Sequence, residues 1–86
     1  MYVICVYDVY SKRCKKVMKI LKKYLYHKQR SVFEGEITPK KYEFLQDELA
    51  EIIRDGDEVI MYYTLSNKRP FVQVNGKDAS QNNILI

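Results

Sequence analysis

An α+β fold, with two helices laid on one face of an antiparallel sheet, is predicted by three features of this 86-residue chain. A near-continuous β-favouring run opens it, two stretches carry apolar residues at helical spacing, and short β-rich runs separate and follow them. The length allows one domain whose core is modest enough for dimerisation to add useful stability. A hydrophobic share of 47% and a charged share of 30% are those of a globular protein. No stretch approaches the roughly 20 apolar residues of a membrane span, so a membrane protein is not expected. The first apolar run follows no basic region and is interrupted by Asp8, so no signal peptide is expected and a cytoplasmic location is.

The elements follow in order. Tyr2 to Asp8 reads as a central strand, because a continuous apolar run implies cover on both faces. Ser11 is an expected N-cap for a helix over about residues 12–25, with Cys14, Val17, Met18, Leu21, Tyr24 and Leu25 on its apolar face. Lys12, Lys16, Lys19 and Lys23 line the opposite face. A second strand is expected over about Lys28 to Phe33, with Gly35 marking a bulge or bend. Thr38-Pro39 supplies an N-cap and a proline at the first helical position for a helix over about residues 39–54. Its buried stripe is Tyr42, Leu45, Leu49, Ile52 and Ile53, its outer face is acidic with Phe44 among the acids, and Asp55-Gly56 ends it. A strand from about Glu58 to Leu65, a five-residue connector and a strand from Phe71 to Asn75 read as a hairpin. With both helices on one face, this order fits the ferredoxin-like β-α-β-β-α-β arrangement over residues 1–76. Residues 77–86 form a tail whose last three residues, Ile84-Leu85-Ile86, are expected to add a strand to a dimer partner or to fray.

Charge is segregated along the chain. Residues 1–30 carry nine basic and one acidic side chain (net +8), residues 31–66 three and nine (net −6), and residues 67–86 three and one (net +2). That polarity suits a basic surface for nucleic acid and an acidic one turned away, although solvated helix faces give the same count. The lysine stripe Lys12, Lys16, Lys19 and Lys23 is the expected nucleic-acid-binding surface.

Asp8 is the only acid in the first 33 residues and closes an apolar strand beside a lysine-rich helix. A carboxylate there must be solvated, paired or bound to a cation, and a cation held in that basic field would attract phosphates. Its alternative role is a turn or helix cap. Arg13, at the border of the apolar helix face, either reaches a ligand held near Asp8 or lies over the core. His27 is the only histidine, so triad chemistry and histidine metal sites are unsupported, and it reads as a surface or packing residue. Cys5 and Cys14 lack metal-ligand spacing and read as reduced core residues.

Val6-Tyr7-Asp8, the block from Gln29 through Ser31-Val32-Phe33-Glu34-Gly35-Glu36 to Ile37, and Asn83-Ile84-Leu85-Ile86 resemble the CRISPR-associated protein 2 family over nearly the whole chain. The resemblance implies a ferredoxin-like homodimer acting in spacer acquisition beside the CRISPR-associated protein 1 integrase. It also implies a metal-dependent nuclease activity on single-stranded RNA or double-stranded DNA. The aspartate ending the first strand, here Asp8, is implied to bind Mg²⁺ at the dimer interface, and catalytic roles carry over onto Arg13 and Phe33. No role carries over to His27.

One carboxylate is too little for Mg²⁺, so either an acid from the second half folds beside Asp8 or Asp8 meets its copy across a twofold axis. Three functions compete: a Mg²⁺-dependent endonuclease, a non-catalytic dimeric DNA-binding scaffold for the integrase, and an RNA-binding module. The last lacks the aromatic signature that an RNA-recognition motif needs.

Overall fold

The computed structural model describes residues 1–65 and 70–78. The elements are β1 (Tyr2–Asp8), α1 (Ser11–Leu21), β2 (Tyr26–Gln29), β3 (Val32–Glu36), α2 (Pro39–Ile52), β4 (Glu58–Thr64), β5 (Phe71–Val74) and β6 (Lys77–Asp78). The strands form one sheet in the order β2-β3-β1-β4-β5-β6, with every pairing antiparallel. Its first four positions are the ferredoxin-like arrangement, to which β5 and β6 add an edge beside β4. Among the described residues, no helix is long and apolar enough to cross a membrane.

β1 lies at the centre because its alternate side chains serve two faces. Val3, Cys5 and Tyr7 are buried and meet Val17 and Leu21 of α1, Leu45 and Leu49 of α2, and Val59 and Met61 of β4 in a single core. Tyr2, Ile4, Val6 and Asp8 point to the opposite, helix-free face. There Val6 stands opposite both Val32 and Ile60, Ile60 opposite Val74, and Tyr62 opposite Val72. These side chains are only half-buried or exposed, leaving an apolar strip across the open face with Asp8 at its end.

Several local expectations are corrected. The strand expected over Lys28 to Phe33 is the turn of a hairpin: β2 and β3 meet around Arg30, which adopts a positive φ of 35°. No Asn-Gly or Asp-Gly pair announces this turn; it is closed by His27, whose Nε2 donates to the Arg30 carbonyl at 2.7 Å. Gly35 is no bulge, since it pairs with Val3 inside β3; the irregularity falls between His27 and Gln29.

The first helix also starts and stops earlier than expected. Tyr10 rather than Ser11 is the N-cap residue, with no side-chain cap, and α1 ends at Leu21. Bonds from Lys23 N to Ile20 O and from Tyr24 N to Leu21 O tighten the chain into a turn that delivers buried Leu25 to the sheet. Thr38 and Pro39 do open α2, the Thr38 hydroxyl accepting from Lys41 N at 3.1 Å. β6 pairs with β5 of the same chain, while Ile84-Leu85-Ile86 lies outside the described residues.

Candidate functional site

Asp8 ends β1 on the helix-free face, exposed, directly opposite Glu58 at the start of β4. Side chains opposite one another in adjacent strands have Cβ atoms about 4.5–5.5 Å apart, and like charges so placed repel. Among the described residues the Asp8 carboxylate has no hydrogen bond or ion pair and does not cap α1. A bare carboxylate held beside a second one is an arrangement that a cation relieves. Glu58 is thus an acid from the second half that folds beside Asp8. No cluster of three or more His, Cys, Asp or Glu side chains suited to a metal ion occurs among the described residues. The chain therefore offers two carboxylates here, and waters and phosphate oxygens would complete an octahedral ion.

Arg13 goes elsewhere. Its Nε and Nη2 donate to the two carboxylate oxygens of Asp57 at 2.6 and 3.0 Å, and its side chain is 16% exposed while that of Asp57 is fully buried. The hydrogen bonds from Arg13, then those from the Tyr10 and Arg54 backbone, hold the Asp57 carboxyl well below the usual carboxylate range against the opposing effect of burial. The guanidinium also lies 5.3 Å from the Tyr10 ring and, with Tyr10, Lys12 and Arg54, lines an open depression at the end of the sheet. Arg13 is thus held by Asp57 and Tyr10 on the side of that depression.

Phe33 has no exposed surface. It stacks under His27 at 4.5 Å and 14° and meets the Tyr7 ring at 6.2 Å. In this arrangement Phe33 is an enclosed core side chain, and any part in catalysis would be played from within the core. His27 is accordingly a packing residue at the β2 edge.

Lys12, Lys16 and Lys19 are exposed on α1, but Lys23 lies in the turn beyond it and pairs with Glu48 of α2, as does the Tyr24 hydroxyl. Three lysines of the expected stripe are thus available to a polyanion, and the fourth ties the helical layer together. Cys5 is a buried core residue whose thiol burial pushes up to about 12.

Asp57 and Glu58 are the residues that sequence reasoning missed. Both sit in Asp55-Gly56-Asp57-Glu58, which reads as a helix stop followed by an exposed strand start. The available signal was the excess of acids just where a second carboxylate for Asp8 was needed.

Residues 1–70 match the family described as CRISPR associated protein Cas2. A CRISPR-associated endoribonuclease Cas2 from Thermotoga maritima is 44% identical over 71 residues, spanning 83% of this chain and 82% of that protein. Its namesake from Nanoarchaeum equitans is 47% identical over 62 residues, 72% of this chain and 68% of that protein. A crystal structure of Cas2 superposes with a TM-score of 0.74 at 39% identity, covering 100% of this chain and 98% of the other. Streptococcus pyogenes Cas2 at pH 6.5 gives 0.69 at 25% identity, covering 100% and 99%.

Proposed function

This chain belongs to the CRISPR-associated protein Cas2 family, and we propose that it is a Mg²⁺-dependent endonuclease working as a homodimer in spacer acquisition beside the CRISPR-associated protein 1 integrase. The observation that carries the nuclease reading is Asp8, a strand-end carboxylate without a partner among the described residues, facing Glu58 on the open face of the sheet. Because the relatives are named endoribonucleases, single-stranded RNA is the first substrate to test, with double-stranded DNA second.

The apolar strip of Val6, Val32, Ile60, Tyr62, Val72 and Val74 supports dimerisation through the same face. A second copy of that strip, related by a twofold axis, would cover both and bring two Asp8–Glu58 pairs toward one another. Asp8, with Glu58 beside it, would hold the ion, which when bound polarises a phosphodiester and acidifies a water. The chain's own part is to present both carboxylates on one side of the sheet, while Lys12, Lys16 and Lys19 draw the nucleic-acid backbone to the protein. Expected in the assay is RNA cleavage that needs Mg²⁺, stops with chelator and is lost in Asp8→Asn. Undiminished cleavage by that variant, purified free of contaminating nuclease, would reject the assignment.

A second reading has its own observation. Arg13 is paired with Asp57 and Phe33 is buried, so of the three expected catalytic side chains only Asp8 is both exposed and, among the described residues, unpaired. That favours a non-catalytic dimeric scaffold holding DNA for the integrase. Duplex binding that survives Asp8→Asn, with no cleavage by the unaltered protein, would select this reading.

A further inference from the structure

Asp57 is buried, at 4% exposure, and accepts four hydrogen bonds from three segments. Tyr10 N donates to Oδ1 at 3.0 Å, Arg54 N to Oδ2 at 2.9 Å, and the Arg13 guanidinium to both oxygens. A fourth segment joins through the backbone. Asn75 Nδ2 donates to the Asp57 carbonyl at 3.0 Å, while Asn75 Oδ1 accepts from Val59 N at 2.8 Å. Asn75 sits in the turn between β5 and β6, at a φ of 51° that asparagine tolerates better than most residues.

Some of these bonded residues adjoin the Asp8–Glu58 pair in sequence. Tyr10 lies two residues beyond Asp8, and Glu58 is bracketed by Asp57 and Val59. A buried ion pair is a poor device for stability alone, because a well-packed apolar substitute often serves as well. What it does supply is fixed geometry, since a carboxylate with all its acceptor positions filled admits one arrangement of its donors.

We propose that Asp57 is a positioning residue for the cation site: it holds the loop after Asp8 on one side and the start of β4 on the other, so that Asp8 and Glu58 face one volume. This rests on the reading of Asp8 as a metal-binding carboxylate. A site held to within about 0.5 Å depends on such supporting hydrogen bonds, and their loss commonly lowers metal affinity or activity by about 10–100-fold.

The test compares the full chain with Asp57→Asn, which keeps the shape and removes the charge, and with Arg13→Lys, which keeps the charge and removes the fork. Three readouts are taken: Mn²⁺ affinity by electron paramagnetic resonance, kcat and KM on single-stranded RNA, and amide hydrogen exchange over residues 8–10. Expected for Asp57→Asn are Mn²⁺ binding and kcat each reduced about tenfold or more, KM within about twofold, and faster exchange at Val9 and Tyr10. Arg13→Lys should fall between the two. A folded Asp57→Asn protein with Mn²⁺ affinity and kcat unchanged overturns the proposal, whatever its exchange. If Asp57→Asn does not fold, Arg13→Lys is judged by the same criterion. If the unaltered protein neither binds Mn²⁺ nor cleaves RNA, the reading of Asp8 fails separately. Exchange then decides whether Asp57 positions this loop, and unchanged rates over residues 8–10 reject it.

Discussion

Asp8 and Glu58 stand directly opposite one another where β1 pairs with β4, two acids on the same face of a sheet and 50 residues apart in the chain. Neighbouring acids of this kind are tolerated at a cost of roughly 0.2–1 kcal/mol when nothing lies between them. Neutralising Asp8 should therefore raise the thermal midpoint slightly in chelator, while lowering Mg²⁺-dependent cleavage by a factor on the order of 100 or more. Calorimetry and a cleavage assay on Asp8→Asn check the two together, and lost activity accompanied by lost stability would point to a structural role.

Phe33 should behave as a core residue. Phe33→Ala leaves a cavity beneath His27 and beside Tyr7, at a cost of about 3–5 kcal/mol. Phe33→Leu should retain most of both stability and activity. Denaturant unfolding paired with activity measured well below the unfolding transition checks this: an inactive but fully stable Phe33→Leu protein would restore a direct role for the ring.

Acid should act through Asp57. Its carboxyl is held below the ordinary value in the folded chain, chiefly by Arg13, so its contribution is fully present above the unfolded value of about 3.9 and is lost as pH falls below that toward the folded value. The thermal midpoint should be nearly flat above about pH 5 and should drop below about pH 4. Asp57→Asn should start lower and show a shallower acid limb. Equal slopes in the two proteins would mean that other carboxylates, such as Glu48 beside Lys23 and Tyr24, govern the limb.

A charge placed in the open apolar strip should keep two copies apart. Val6→Asp or Val72→Asp puts a carboxylate among Val32, Ile60 and Tyr62 on the helix-free face, away from the core. Sedimentation at low micromolar protein should show a dimer for the unaltered chain and a monomer for either variant, with the far-UV spectrum unchanged. Dimers that persist in both would place the interface elsewhere.

Reversing charge on α1 should weaken nucleic-acid binding without touching the fold. Lys16→Glu and Lys19→Glu alter exposed side chains, and each lost phosphate contact should reduce the salt dependence of binding by about one unit of log–log slope. Binding isotherms at several salt concentrations measure this. Lys23→Glu should instead cost stability, because Lys23 is paired with Glu48.

Much of the framework was legible along the chain, and the reason is local. The run Tyr2 to Tyr7 names a central strand, and the spacing of Tyr42, Leu45 and Leu49 names a buried helix face. Thr38-Pro39 marks where that helix begins, because capping and proline geometry act over a few residues. The charge segregation and the isolation of Asp8 need only counting. What the tertiary structure decided was pairing. Arg13 meets Asp57 across 44 residues, and Asp8 meets Glu58 through the register of β1 and β4. Arg30 turns a hairpin without glycine because His27 bonds its carbonyl. Partners brought together by folding leave no periodicity in the chain, so the sequence by itself could single out Asp8 as an acid in need of a partner. Only the packed sheet could place Glu58 opposite it and Asp57 behind it.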